Sequence, residues 1–193
     1  MKSVLIVFTS RFGSTDEIAH EIADELESKH NIHTQVLNLQ DGIKVPLLVN
    51  FDGVIVGSGI KMGRWTKESY NFLKKNQTTL NNKVLGVFVS SGEAANPKNH
   101  VEARNKYLKR ILDRTGIKAD MMEAFGGVFD FSSSSSYSFL EKKIVRRLAR
   151  SIEGGIIVDD DRMNDFRDWD NIRKWASEFS HLVKRHNKSS KVI

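Results

Sequence analysis

Continuous apolar runs alternate with apolar stripes at helical spacing along most of this chain. Residues 4–8 are all apolar, which is typical of a strand that is covered on both faces. Behind them, Ile18, Ile22 and Leu26 recur at helical spacing. The start of the chain therefore predicts a strand, a turn and a helix.

The same alternation continues toward the end of the chain. Further strands are predicted at 34–39, 53–57, 84–89 and 124–129, and further helices at about 65–80, 101–114 and 169–184. Because strands and helices alternate, we expect an α/β fold with a parallel sheet, right-handed crossovers and helices on both faces.

An insertion at about 129–168 interrupts this pattern. It begins with the serines 132–136, which we expect to be mobile, and continues with a helix over 140–152. One side of that helix carries the apolar stripe Leu140, Ile144, Leu148 and Ile152, and the other side carries Lys142, Lys143, Arg146, Arg147 and Arg150. We expect Gly154 and Gly155 to end the helix and a short strand to follow at 156–158.

The composition favours a single domain over residues 1–193, with a basic tail at about 184–193. Hydrophobic residues make up 39% and charged residues 28%, as in ordinary globular proteins. Because the chain has no cysteine, disulfides and iron–sulfur clusters are excluded, and redox activity would need a bound cofactor. We see neither a signal peptide nor an apolar run of membrane-spanning length, and expect a cytoplasmic protein that either is free or contacts the inner face of the membrane.

The net charge of +6 and the pI of about 9.5 would suit a nucleic-acid partner. However, much of the excess lies in the helix at 140–152 and in the tail, without the interleaved aromatic residues that stack on bases. We therefore expect no nucleic acid. The acidic residues 159–161 lack the alternation of a calcium loop and the histidines lack paired ligand spacing, so we expect no metal.

The most informative segment lies between the first strand and the first helix, and it consists of Thr9, Ser10, Arg11, Phe12, Gly13, Ser14 and Thr15. Backbone N–H groups at the start of a helix have no helical acceptor, and with the helix dipole they form an anion site. The hydroxyl groups can donate further hydrogen bonds to a phosphate. The alternative is that Ser14 and Glu17 form a capping box and merely begin the helix.

Two more loops are expected at the same edge of the sheet, because both follow predicted parallel strands. The second contains Ser58, Gly59, Ile60, Lys61, Met62, Gly63, Arg64 and Trp65, and the third contains Ser90, Ser91, Gly92 and Glu93. Lys61 or Arg64 could stabilise a negatively charged cofactor, or be solvated surface charges. Trp65 could stack on a cofactor ring or belong to the core. The spacing matches neither a dinucleotide fingerprint nor a nucleotide-hydrolysing P-loop.

The first loop resembles the phosphate-binding turn of the flavodoxin family, a hydroxyl residue, two variable positions, Gly, a variable position and Thr. Ser10, Gly13 and Thr15 match this pattern. The resemblance implies a flavodoxin-like three-layer sandwich with strand order 2-1-3-4-5. It also implies that FMN is bound by the residues named in the three loops. The flavin itself would carry the chemistry, and no side chain is an evident catalytic acid or base.

The layout is similar to that of the menaquinone-dependent, oxygen-independent protoporphyrinogen IX dehydrogenases. The likeness includes the loop at 57–63 and the close of the insertion at Gly154, Gly155, Asp168 and Trp169. It implies an enzyme of heme biosynthesis that oxidises protoporphyrinogen IX with a quinone as acceptor. The start of the insertion, Phe129-Asp130-Phe131 followed by serines, departs from the aromatic and basic start of that family.

The resemblance leaves several partners open. The basic helix could meet the substrate's propionates or anionic lipid at a membrane, or it could pack through its apolar stripe and leave a solvated basic face. A homo-oligomer is also compatible with the sequence. The alternative functions are a soluble flavodoxin-type electron carrier between redox proteins and a flavin-dependent docking module.

Overall fold

The structure is a computed structural model that describes residues 1–135, 137–150 and 156–186. The predictions made for Ser136, for the side chain of Leu148, for Ile152, for Gly154 and Gly155, and for the tail from residue 187 onward lie outside the described residues.

Five parallel strands form the central sheet, in the order β2-β1-β3-β4-β5. Their bounds are β1 Ser3–Thr9, β2 His33–Asn38, β3 Gly53–Gly59, β4 Val84–Ser90 and β5 Met121–Phe125. Strands β3 and β4 are buried along their whole length, which explains why their sequences do not alternate between apolar and polar residues. The predicted flavodoxin-like fold class and strand order are confirmed.

Helices cover both faces of this sheet. They are α1 Ser14–His30, α2 Lys67–Lys75, α3 Gln77–Leu80, α4 His100–Ala103, α5 Arg110–Thr115, α6 Phe139–Arg150 and α7 Trp169–Arg185, and a π-helical segment, Arg104–Lys109, joins α4 to α5. The helix predicted at 65–80 is two helices that meet at Asn76. The Asn76 side chain donates to the carbonyl of Phe72 at 2.9 Å and so competes with the helical backbone bonds.

Two apolar cores lie against the two faces of the sheet. On one face, α1 and α7 pack against Ile6, Phe8 and Phe88. On the other face, Leu73 of α2 and Leu108 of the π-helical segment pack against the sheet's opposite side. Because β-strand side chains alternate between faces, each buried strand contributes to both cores.

The fifth strand differs from its prediction of 124–129. It begins at Met121 and ends at Phe125, and the next residues, Val128–Asp130, form a separate strand, β6. Two glycines separate these strands, and a Cβ at Gly126 would overlap the carbonyl of Phe166. The close approach of the returning chain therefore ends the strand at this point.

The insertion closes on itself through a second, two-stranded sheet. Strand β6 pairs antiparallel with β7, Met163–Asp165. The strand expected at 156–158 is wrong, because those residues are irregular and the pairing lies further along the chain. The side-chain amide of Asn164 fixes this position by donating to the carbonyl of Phe129 at 3.2 Å.

Helix α6 does not pack through the first two residues of its predicted apolar stripe. Leu140 is 69% exposed and Ile144 is 53% exposed, whereas Ala149 is fully buried. Ala149 and Val145 pack with the aromatic residues of the insertion's own small core, Phe129 and Phe131. The alternative in which this helix buries its stripe and leaves only a basic face to solvent is therefore wrong for both of these stripe residues.

The packing of α7 on the sheet predicts the effect of Gly86→Ala. A Cβ at Gly86 would lie 2.8 Å from Cη2 of Trp175 and 3.1 Å from Cε2 of Phe179, both on α7. We expect the free energy of unfolding to fall by about 1–3 kcal/mol, as in overpacked cores. Urea denaturation measures it. The exposed β2 substitution Gln35→Ala is the control, and an equal effect of both would contradict the packing argument.

Candidate cofactor site

Three loops leave the sheet side by side at the carboxyl ends of its central strands. In the parallel register, Thr9 of β1 lies beside Ser58 of β3, and Gly59 of β3 lies beside Ser90 of β4. The loops at 10–13, 60–66 and 91–99 therefore start at the same level. This is the edge at which the strand order reverses and where open α/β sheets bind ligands.

The first loop ends in a helix start that is open to an anion. Gly13 precedes α1 with a φ of 93°, and among the described residues no side chain caps the helix. The first helical bond runs from the N–H of Glu17 to the carbonyl of Gly13 at 3.1 Å. The preceding N–H groups, of Ser14 and its two successors, therefore lack helical acceptors and make the helix start suitable for a phosphate.

The capping box considered from the sequence does not form. Ser14 is the first residue of the helix, and its Oγ lies 3.3 Å from Oγ of Ser90 in the third loop. It is Ser10 that accepts a hydrogen bond from the N–H of Gly13, at 3.0 Å. Ser14 and Ser90 thus bring hydroxyl groups from two loops to one place.

Glycines leave space for a ligand beside these hydroxyls. A Cβ at Gly59 would lie 3.1 Å from Oγ1 of the buried Thr15, and a Cβ at Gly127 would lie 3.3 Å from Oγ of Ser90. Side chains at Gly59 or Gly127 would fill the space between the loops beside Thr15 and Ser90, which we call the cradle. A phosphate ester with a polar chain fits this set of N–H groups, hydroxyls and glycines, as the ribityl phosphate of FMN does.

Two predicted site residues serve the framework beneath the loops. Oγ1 of Thr9 lies 2.8 Å from Oγ of Ser69, which donates to the carbonyl of Gly57. Oγ of Ser58 lies 3.0 Å from Oγ1 of Thr66. Because both hydroxyls are fully buried and paired within the protein, these residues hold the second loop against the sheet.

The tip of the second loop is a tight hairpin. Lys61 and Arg64 exchange two backbone hydrogen bonds of 3.1 Å, and Met62 and Gly63 between them have φ of 50° and 73°. Two positive φ values in succession are typical of a type I′ turn. Met62 is 76% exposed at the tip, and the N–H of Ile60 anchors the base of the loop by donating to the carbonyl of Ser90 at 2.9 Å.

The third loop is closed by contacts with its neighbours. The N–H of Ser91 donates to the carbonyl of Phe125, and Oγ of Ser91 accepts from the N–H of Ala94 at 3.3 Å. A Cβ at Gly92 would lie 2.6 Å from the ring of Phe129. The insertion therefore begins in contact with this loop.

Tyr107 connects the second and third loops, and sequence reasoning missed it. Its carbonyl accepts the indole N–H of Trp65 at 2.7 Å, and its hydroxyl donates to Oε2 of Glu93 at 2.5 Å. Burial, followed by the bond to Glu93, raises the pKa of Tyr107 far above its usual value. Lys106 pairs with Glu93 as well, at 2.8 Å. The π-helical turn that positions Tyr107 has no simple sequence signal.

These contacts assign several predicted site residues to the framework. Trp65 is only 8% exposed and belongs to the core. Of the two roles that the sequence left open, stacking on a cofactor ring or packing in the core, the structure shows packing in the core. Glu93 is held by Tyr107 and Lys106. Arg11 is exposed and Phe12 is 37% exposed at the rim of the first loop. Among the described residues, no group of three or more His, Asp or Glu side chains could hold a metal.

Comparison with known proteins gives the same picture of the fold. The model of the flavodoxin domain family matches residues 5–155. The chain is 26% identical to protoporphyrinogen IX dehydrogenase [quinone] of Escherichia coli strain K12 over 179 aligned residues. The aligned region covers 93% of this chain and 95% of that protein.

Solved structures agree at lower identity. A flavodoxin from the domain Archaea superimposes with a TM-score of 0.55 at 15% identity, covering 95% of this chain and 99% of that one. The rubredoxin oxygen:oxidoreductase of Desulfovibrio gigas superimposes with a TM-score of 0.53 at 14% identity, covering 95% of this chain, but this chain spans only 36% of its length. These likenesses show the fold.

The double role of Tyr107 predicts the effect of Tyr107→Phe. The substitution keeps the ring and the carbonyl bond to Trp65 but removes the hydroxyl donor to Glu93. We expect a loss of about 1–2 kcal/mol in the free energy of unfolding, since the hydrogen bond is charge-assisted and partly buried. Urea denaturation measures the loss. Tyr70→Phe is the control, and a loss no larger than that of the control would contradict the assigned role.

Proposed function

Because the chain belongs to the flavodoxin domain family, we propose that it is an FMN-dependent oxidoreductase that oxidises protoporphyrinogen IX and passes the electrons to a quinone. FMN is the cofactor of this family and, when bound, supplies reversible two-electron chemistry. One observation carries the choice of substrate. The similarity to the dehydrogenase spans 179 of the 193 residues and therefore includes most of the insertion.

The protein's own part is to bind and orient. In this proposal the start of α1 and the hydroxyls of Ser10, Ser14 and Thr15 hold the phosphate. The second and third loops, over residues 58–65 and 90–93, would flank the flavin ring, and the framework contacts of Trp65 and Glu93 would support these loops. In the same proposal residues 1–193 act as one domain, and the contact between the insertion and the third loop at Gly92 supports this. No side chain is assigned as a catalytic acid or base.

The electron balance follows from the substrate. Conversion of protoporphyrinogen IX to protoporphyrin IX removes six electrons and six protons, in three two-electron steps. In each step a quinone takes up two electrons and two protons and becomes a quinol. Three quinones are therefore reduced for each porphyrin formed.

A second candidate function is a flavodoxin-type electron carrier between redox proteins. The observation that favours it is the superposition on a flavodoxin over nearly its full length. A carrier of this type would bind FMN but would not oxidise a small molecule directly. The two functions therefore predict different results when FMN-loaded protein is mixed with protoporphyrinogen IX: the dehydrogenase would oxidise it, and the carrier would not.

The exposed face of α6 supports contact with an anionic membrane. Phe139, Leu140 and Ile144 are 81%, 69% and 53% exposed. The exposed cations Lys143 and Arg147 lie on the same side of the helix as these residues, and not opposite the stripe as expected from the sequence. Apolar side chains beside cations are typical of helices that lie in a lipid interface. The helices in the described ranges include none that is long and apolar enough to cross a membrane. A quinone dissolved in lipid would be reached from such a surface.

Anaerobic turnover tests the proposed reaction. FMN-loaded protein is mixed with protoporphyrinogen IX and a menaquinone analogue while flavin absorbance and porphyrin fluorescence are followed. We expect bleaching of the flavin followed by fluorescent porphyrin.

Thr15→Val should weaken FMN binding about tenfold or more by removing a buried hydroxyl from the cradle.

The control for the FMN-binding measurement on Thr15→Val is Thr78→Val, on the exposed side of α3. If protein that holds FMN is not bleached by protoporphyrinogen IX, the dehydrogenase proposal is overturned and the carrier is favoured. Unchanged FMN affinity in Thr15→Val would contradict the assigned phosphate site.

Vesicle binding tests the membrane surface. The double variant Leu140→Ser, Ile144→Ser should bind phosphatidylglycerol vesicles about tenfold more weakly than the wild type, because two apolar side chains no longer enter the interface. Co-sedimentation measures it. Leu47→Ser, Val49→Ser, at 71% and 63% exposure near the opposite edge of the sheet, is the matched control. Equal loss in both, or equal binding to uncharged vesicles, would contradict the proposed surface.

A further inference from the structure

An ion pair joins the insertion to the second loop. Nζ of Lys61, next to the tip of the hairpin, lies 3.2 Å from Oε1 of Glu141 in the first turn of α6. Both side chains are about one-third exposed, at 37% and 34%. Eighty residues of sequence separate the two partners, so this contact joins two parts of the chain that are otherwise distant.

Glu141 is held in place by the start of its own helix. Its Oε2 accepts from the N–H of Ser138 at 3.0 Å and from the hydroxyl of Ser138 at 2.9 Å. The N–H of Glu141 in turn donates to Oγ of Ser138 at 3.3 Å. This is a complete capping box, and it leaves the second carboxylate oxygen for Lys61.

The same contacts keep Glu141 ionised. The backbone N–H and hydroxyl of Ser138, and after them Lys61, hold the pKa of the Glu141 carboxyl below its usual value. A carboxylate at neutral pH therefore stands against the ammonium group of Lys61.

The first loop takes part in the same junction. Nζ of Lys61 lies 5.1 Å from the centre of the Phe12 ring, and the ring of Tyr137 meets that of Phe12 edge-on at 4.5 Å. Tyr137 is 8% exposed, and its hydroxyl donates to the carbonyl of Val128 at 3.2 Å. Lys61 is thus confined between the first loop and the insertion.

We propose that Glu141 is a positioning residue through which the insertion sets the charge that Lys61 presents to the cofactor. The inference rests on FMN as the cofactor but does not depend on the identity of the substrate. A cation near the flavin stabilises the negative charge that the ring gains on reduction, and a paired carboxylate weakens that effect. The insertion would in this way lower the reduction potential of the bound flavin.

Redox titration of the FMN-loaded protein tests this role. The midpoint potential is measured under anaerobic conditions for the wild type, Glu141→Gln, Lys61→Met and the double variant. We expect Glu141→Gln to shift the potential to more positive values and Lys61→Met to more negative values. In the Lys61→Met background, Glu141→Gln should cause no further shift, because its effect passes through Lys61.

Two further variants sharpen the test. Lys61→Arg keeps the positive charge, so its midpoint potential should stay close to that of the wild type. Asp113→Asn breaks an exposed pair with Lys109, 2.7 Å apart on another helix, and should leave the potential unchanged. FMN affinity is measured in parallel by quenching of flavin fluorescence and should change by no more than about fivefold in Glu141→Gln, as expected for a surface ion pair.

Distinct results would overturn the proposal. An equal shift from Glu141→Gln with and without Lys61 would mean that the carboxylate acts on the flavin directly. A potential that is unchanged in Glu141→Gln would remove the role altogether. Failure to oxidise protoporphyrinogen IX while these shifts persist would overturn the substrate alone, whereas failure to bind FMN would overturn both.

Discussion

The parallel pairing of β1, β3 and β4 is the constraint on which the site depends. In a parallel ladder the hydrogen-bond register determines where each strand ends relative to its neighbour. Here it places Thr9 beside Ser58 and Gly59 beside Ser90, so that the loops meet at one edge. A slip of one residue would turn the buried hydroxyls of Thr9 and Ser58 to the other face. The proposed anion site is therefore a consequence of strand register as much as of the loop sequence.

The insertion shares its boundary with this edge at several points. The ring of Phe129 occupies the space above Gly92, and the chain returns past Gly126 at Phe166. The side chain of Arg167, the next residue, is 4% exposed and joins Asp165 of β7 to Glu17 in the first turn of α1, at 2.7 Å to each. The returning strand is thus tied to α1, whose start is the proposed anion site. A change in the insertion therefore has direct routes to the loops of the candidate site.

The parts of the fold that the sequence predicted are those in which local pattern and burial coincide. Strands such as Val84–Ser90 are continuous apolar runs, and the long helix Trp169–Arg185 has an apolar face that packs on the sheet. The second sheet was not predictable, because Val128–Asp130 and Met163–Asp165 are three residues each and their pairing is set by tertiary contacts. Tyr107 was missed for a similar reason, since its role depends on a π-helical turn. The predicted site residues are at one edge of the sheet, but the sequence does not show which of their hydroxyls are paired within the framework, as those of Thr9 and Ser58 are.

The basic helix shows why formal charge is a poor guide to a partner. Lys142 donates to the carbonyls of Phe131 and Ser132, and Arg146 and Arg150 both bind Asp160. These cations hold the insertion together by satisfying acceptors that would otherwise face solvent or the small core. In the described part of the helix, Lys143 and Arg147 point outward on the side of the exposed apolar residues. The position of those two cations beside exposed apolar surface, and not the net charge of the chain, is what bears on a lipid partner.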